Sequence, residues 1–103
     1  MNKPLQGIRV LDLTMWWSGP MCTSYLGALG AEIIKVESAQ TPDGFRFTVS
    51  APGDNWWELG PQFNSANHNK LGATINLVNE GGRDYLKQLV KHCDVLLKTI
   101  HLV

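Results

Sequence analysis

Apolar residues fall along this chain in short bursts whose spacing changes from one burst to the next. Ile8, Val10, Leu11 and Leu13 form a compact run closed by Thr14. A run that short predicts a strand buried on both faces of a parallel sheet. Trp16, Trp17, Ser18, Gly19 and Pro20 then read as a turn entering a helix. Ser18 is the expected N-cap, and Pro20 fits the first turn, where no backbone donor is needed. The helix is expected over Met21–Leu29, with Tyr25, Leu26 and Leu29 on its apolar stripe and Gly30 stopping it. Glu32–Glu37 reads as a second strand carrying Ile33, Ile34 and Val36. A right-handed β-α-β crossover follows.

From Ser38 to about Gln62 no period persists, and Pro42, Gly44, Pro52, Gly53, Gly60 and Pro61 punctuate the chain. This predicts a long loop with one short helical turn around Trp56–Leu59. Loops of that length inside a compact domain more often serve a site or a partner than merely connect. Regularity returns with a third strand over Ala73–Leu77 and a helix over Gly81–His92, whose apolar face is Tyr85, Leu86, Leu89 and Val90. Val95–Leu97 is the fourth strand. The expected fold class is α/β with a Rossmann-like parallel sheet.

Composition narrows the function classes. The chain has 103 residues, enough for one domain with a modest core. Nine basic residues balance nine acidic ones, so there is no electrostatic footprint for nucleic acid. The polar start MNKPLQ predicts no signal peptide, and the apolar runs are too short to span a bilayer. Cys22 and Cys93 sit in no disulfide or zinc spacing, which suits reduced thiols and a cytoplasmic location.

Several residues could carry chemistry. Gly19 in the first strand-to-helix turn and Glu37 at the end of the second strand are placed as in a dinucleotide fold, where the acid meets a ribose hydroxyl. The full glycine fingerprint is missing, and a solvated strand-end role for Glu37 is as good a reading. Trp16 and Trp17 can stack on a purine, line an acyl slot or pack against another subunit. The same readings hold for Trp56 and Trp57. Asn64, Asn67, His68, Asn69 and Lys70 can either bind phosphate and amide groups or make turn hydrogen bonds. Asp12 and Asp94 have no base or acid beside them in sequence, so bracing a loop is their default role. His68, His92 and His101 show no metal spacing.

Taken together these segments resemble the N-terminal part of the family III CoA-transferases, which include formyl-CoA transferase, carnitine CoA-transferase and α-methylacyl-CoA racemase. The matching residues are PLQGIRVLDLT (Pro4–Thr14), SGPMCTSYLGALGAEIIKVE (Ser18–Glu37), NHNK (Asn67–Lys70) and the G-x-x-x-L-x-x-L-x-x-x-C-D-V-L-L pattern from Gly82 to Leu97. The resemblance implies transfer of coenzyme A between carboxylic acids through an enzyme-bound acyl intermediate, or epimerisation of an acyl-CoA in the racemase branch. It implies an interlocked homodimer, acyl-CoA and a carboxylic acid as partners, CoA as substrate and no covalently bound cofactor. Trp17 and Ser18 in the first turn, and Ile75, Asn76, Leu77 and Val78 along the third strand, resemble CoA-contacting positions. Asn69 and Lys70 are read as shaping that site. The family's catalytic Asp lies beyond the end of this chain, so no catalytic residue is assigned and the chain alone is expected to be inactive. A standalone CoA- or nucleotide-binding module is the alternative.

Two departures stand out. Ser38 occupies a place where many relatives carry a basic residue, so no charge is offered there to a CoA phosphate. After D-V-L-L the family continues with Glu-Asn and an aromatic residue, whereas this chain reads Lys98-Thr99-Ile100-His101-Leu102-Val103. The codons GAA-AAC read one nucleotide late begin AAA-AC, which encodes Lys-Thr. Residues 1–97 are therefore expected to form the N-terminal part of a CoA-binding domain, and 98–103 a frameshifted tail. A downstream DNA sequence without a family-like continuation in another frame would sink that expectation.

Overall fold

The computed structural model describes residues 2–100. Four strands, β1 (Arg9–Leu13), β2 (Glu32–Glu37), β3 (Leu71–Thr74) and β4 (Val95–Lys98), form one sheet in the order β3-β2-β1-β4. All three pairings are parallel, with Asp12 opposite Lys35, Leu13 opposite Lys98 and Glu37 opposite Thr74. Helix α1 (Ser18–Ala28) joins β1 to β2, and α3 (Glu80–Val90) carries the chain from β3 across to β4. The two crossovers run in opposite directions, so right-handedness places α1 and α3 on opposite faces. Between β2 and β3 lie two short 3₁₀ turns, Gly44–Phe47 and Trp56–Leu59, and helix α2 (Pro61–Ala66).

The core lies between β1, β2 and α1, where buried Val10, Ala31 and Ile33 meet Leu5, Ile8, Leu26 and Leu97. Alternation along β1 sends Leu11, fully buried, to the other face. The outer strands are less covered: Leu71 on β3 and Val95 and Leu96 on β4 stay exposed.

The α/β class, the four strands and the turn at Trp56–Leu59 agree with the sequence reading; several details do not. Helix α1 begins at Ser18, with Trp17 at the N-cap, because the Trp17 carbonyl already accepts from the Met21 N–H at 3.0 Å. Its buried face is Pro20, Thr23, Ser24 and Gly27, while Tyr25 is 65% exposed. Small side chains win there because Gly27 sits close to the sheet: a Cβ on it would come within 3.2 Å of Ile33. Gly30 does end the turn after α1, at φ +109°.

The third strand spans Leu71–Thr74 rather than Ala73–Leu77, so Ile75–Val78 follow the strand. Only the Ile75 N–H prolongs the pairing, to the Glu37 carbonyl at 2.9 Å. Asn76 then bends the chain by accepting from the Val78 N–H at 3.0 Å, an Asx turn that ends the ladder. Helix α3 starts at Glu80, capped by Asn79, whose side chain accepts from the Gly82 N–H at 2.7 Å. Helix α2 and the first 3₁₀ turn had no periodic signal, being too short to show one.

Candidate functional site

Parallel strands end together, so the carboxyl ends of β1, β2, β3 and β4 form one rim. In an open α/β sheet ligands bind at that rim where the connections part, and here they part between β1 and β4. A crevice of about 450 Å³ lies at that point, lined by Thr14, Ser18, Gly19, Cys22 and Leu97–Ile100. The N-terminus of α1 opens beside it, and no side chain caps that helix. Gly19 makes the junction tight: a Cβ there would lie 2.4 Å from the Thr14 Cβ. Its smallness serves helix–strand packing.

Two buried ion pairs hold the rim. Asp12 is fully buried and accepts from the Thr14 N–H at 2.8 Å, from the Thr14 hydroxyl, and from the Thr23 hydroxyl at 2.6 Å. Lys70 completes the shell at 3.0 Å and also donates to the Pro20 carbonyl at 3.0 Å and the Asn67 side chain at 2.8 Å. All three ammonium protons are thereby used inside the protein. Lys70 ties β1, α1 and the end of α2 together, and Asp12 braces a loop as its sequence context suggested. The second pair is Lys35 with Asp43 at 2.8 Å, both buried. Lys35 also donates to the Thr14 carbonyl at 2.8 Å, and Asp43 accepts from the Trp16 and Phe45 N–H groups at 3.0 and 3.1 Å.

Glu37 does not await a ribose. Both its oxygens bind Arg46, at 2.9 and 2.8 Å, and it accepts from the Asp43 N–H at 2.9 Å. The Arg46 guanidinium lies 3.6 Å over the Phe63 ring, a stacked cation–π contact. Ser38, buried, accepts from the Thr41 N–H at 3.0 Å and lines a separate cleft of about 440 Å³ with Arg46, Trp57 and Thr74.

Asp12 and Glu37 make stability depend on acid. Burial pushes the Asp12 carboxyl up, but the Thr14 and Thr23 hydrogen bonds and Lys70 outweigh it and leave the group below its ordinary range. Glu37 is likewise pushed up by burial and carried lower by Arg46 and the Asp43 N–H. A depressed carboxylate contributes stability that is present above its unfolded value and is lost as pH falls through the folded one. We expect urea midpoints to be flat near neutrality and to fall below about pH 4, with the drop reduced in Glu37→Gln. An equal drop in that variant would refute Glu37's share.

Trp17 and Ser18 stand on the rim, Trp17 58% exposed with its ring edge-on to Phe45 at 5.4 Å. Trp16 precedes them at φ 71°, a left-handed conformation costing a bulky residue about 1–3 kcal/mol. Ile75 and Asn76 line a third cleft of about 520 Å³ with Asn79, Gly82 and Tyr85, while Leu77 and Val78 are exposed beside it. The fold thus brings the first-turn and third-strand positions to one rim but into different clefts. Asn69 is exposed at φ 60°, in the turn that delivers Lys70. Among the cluster, Asn67 donates to the Phe63 carbonyl at 2.9 Å and His68 lies 3.0 Å from the Ser65 carbonyl, so turn bonding accounts for both. Lys35, Asp43, Arg46 and Thr23 were missed by sequence reasoning. One signal was available for Lys35: a lysine inside an apolar strand is rarely buried without a partner.

Residues 5–101 match the family model described as CoA-transferase family III. The chain belongs to CoA-transferase family III. As a family III chain it is 39% identical over 100 residues to formyl-CoA:oxalate CoA-transferase of Bradyrhizobium sp. (strain ORS 278), covering 95% of this chain and 22% of that protein. The Afipia carboxidovorans protein of the same name is 38% identical with the same coverage. Among solved structures, Rv3272 from Mycobacterium tuberculosis superposes with a TM-score of 0.79 at 33% identity, covering 95% of this chain and 25% of that one. A CAIB/BAIF family protein from Brucella suis gives 0.78 at 29% identity, covering 97% and 26%. The chain therefore spans about a fifth of the length of the curated relatives it matches.

Family III membership replaces the dinucleotide reading and makes CoA thioesters the substrate class of the family. Among the described residues no helix is long and apolar enough to cross a membrane. Lys98 and Thr99 lie within the residues the family model matches and are part of the fold: Lys98 pairs with Leu13, and the Thr99 hydroxyl accepts from the Met15 N–H at 3.0 Å. Residues 101–103 of the expected frameshifted tail lie outside the described residues.

Proposed function

We propose that this chain supplies part of the CoA-binding rim of a family III CoA-transferase, the enzyme class that moves CoA between carboxylic acids. The observation that carries this reading is the open crevice between the ends of β1 and β4, beside the uncapped N-terminus of α1. A helix N-terminus offers free N–H groups and a positive dipole end to an anionic group such as a CoA phosphate. Trp17 and Ser18 contact CoA at that mouth, and Ile75, Asn76, Leu77 and Val78 contact it further along the rim. Asn69 and Lys70 act as shape: Lys70 spends its protons on Asp12, Pro20 and Asn67 and has none for a ligand.

The nucleophilic Asp lies in parts of the relatives that this chain does not span, so the 103 residues bind acyl-CoA without turning it over. The carboxylic acid partner and the interlocked homodimer belong to the same longer protein, to which exposed Leu71, Val95 and Leu96 on the outer strands offer contact surface.

Isothermal titration of the purified chain with CoA should give micromolar binding, weakened about tenfold in Trp17→Ala, a loss typical of an aromatic contact. Incubation with an acyl-CoA and an acceptor acid should give no exchange. A chain with an intact near-UV circular dichroism spectrum that ignores CoA would overturn the binding claim, and steady turnover would overturn the division of labour.

A further inference from the structure

Trp16 adopts φ 71°, which an unconstrained tryptophan avoids, so something must hold it there. Both sides of the segment are gripped by residues of a different part of the chain. Lys35 of β2 donates to the Thr14 carbonyl at 2.8 Å, just before the bend. Asp43, six residues past the end of β2, accepts the Trp16 N–H at 3.0 Å. The two gripping side chains bind each other at 2.8 Å and are buried, so the grip is shielded from water. Asp43 is itself fixed on every side: its N–H donates to Glu37 at 2.9 Å, and it also accepts from Phe45 at 3.1 Å. The Trp16 ring folds onto Gly44, the residue after Asp43, where a Cβ would lie 2.2 Å from the ring, so only glycine leaves room.

We propose that Asp43 is a positioning residue for the β1–α1 turn: it holds Trp16 in its left-handed conformation and thereby places Trp17 and Ser18 on the rim. Asp43 touches no ligand and acts through the backbone of the turn. The consequence for CoA affinity rests on the CoA reading above; the hold on Trp16 does not.

Removing Asp43 alone would strand the Lys35 charge in the interior, so the test uses paired variants that remove both charges. Lys35→Met with Asp43→Asn keeps a side-chain acceptor for the Trp16 N–H, whereas Lys35→Met with Asp43→Leu has none. Amide hydrogen exchange, read residue by residue by NMR, reports the grip directly. The Trp16 amide should be protected in the parent chain and in the Asn variant, and should exchange at least tenfold faster in the Leu variant. CoA titration should show the Leu variant about tenfold weaker than the Asn variant, the scale of one lost buried hydrogen bond. Equal Trp16 protection in the two variants would overturn the proposal. So would a parent chain whose Trp16 amide exchanges freely while β1 amides are protected, a result that needs no variant to fold. If exchange behaves as expected and the parent chain does not bind CoA, the hold on Trp16 stands and the CoA reading fails. If exchange behaves as expected and both variants bind CoA equally, the placement of Trp17 and Ser18 by Asp43 is wrong.

Discussion

Replacing Lys70 with methionine is expected to destabilise the chain by about 3–5 kcal/mol, because it leaves the Asp12 carboxylate buried without its charge partner. The geometry makes this the most exposed weakness in the fold. Asp12 has no access to water, and the Lys70 side chain is 2% exposed, so no solvent can replace the lost ammonium. The surviving hydrogen bonds from Thr14 and Thr23 stabilise the anion only in part. The loss should be largely recovered in Asp12→Asn with Lys70→Met, where no unpaired buried charge is left and the side-chain oxygen still accepts from the Thr14 N–H. Urea denaturation of the three variants checks this. If the single and double variants lose equal stability, the pair matters as packing and not as charge.

The second large effect separates two neighbouring glycines of opposite sign. A Cβ on Gly82 would lie 1.7 Å from the Asn76 carbonyl oxygen, a backbone atom that cannot step aside without moving the turn. Gly82→Ala should therefore cost about 1–3 kcal/mol and shift the Ile75–Val78 turn. A Cβ on Gly81 would meet nothing closer than the Asn79 side chain at 3.8 Å. Gly81→Ala should stabilise α3 by about 0.4–1 kcal/mol through the entropy of the unfolded chain. Thermal melts of both variants decide the matter, and a stabilising Gly82→Ala would show that α3 is not seated as described.

How far the sequence could be read differed between elements for physical reasons. β1, β2 and Gly30 were legible because burial on both faces concentrates apolar residues in a short run, and the φ of +109° at Gly30 strongly favours glycine. The end of β3 was not, since Ile75 and Leu77 look like strand residues and only the Asn76 side chain breaks the ladder. The stripe of α1 misled because close helix–sheet approach favours Thr23, Ser24 and Gly27 over Tyr25. The Asn67–Lys70 cluster was legible as important but not as to why. Its partner Asp12 lies 58 residues away and meets it only through the parallel sheet.

By itself the sequence determined the α/β class, the order of the four strands and two longer helices, and the family, since each is written in local runs and in spacing along one chain. The tertiary structure alone decided which charges are buried in pairs, that Glu37 belongs to Arg46, and that the turn bearing Trp17 is gripped by Asp43. Those facts depend on side chains far apart in sequence meeting where four parallel strands end. No local pattern encodes such a meeting.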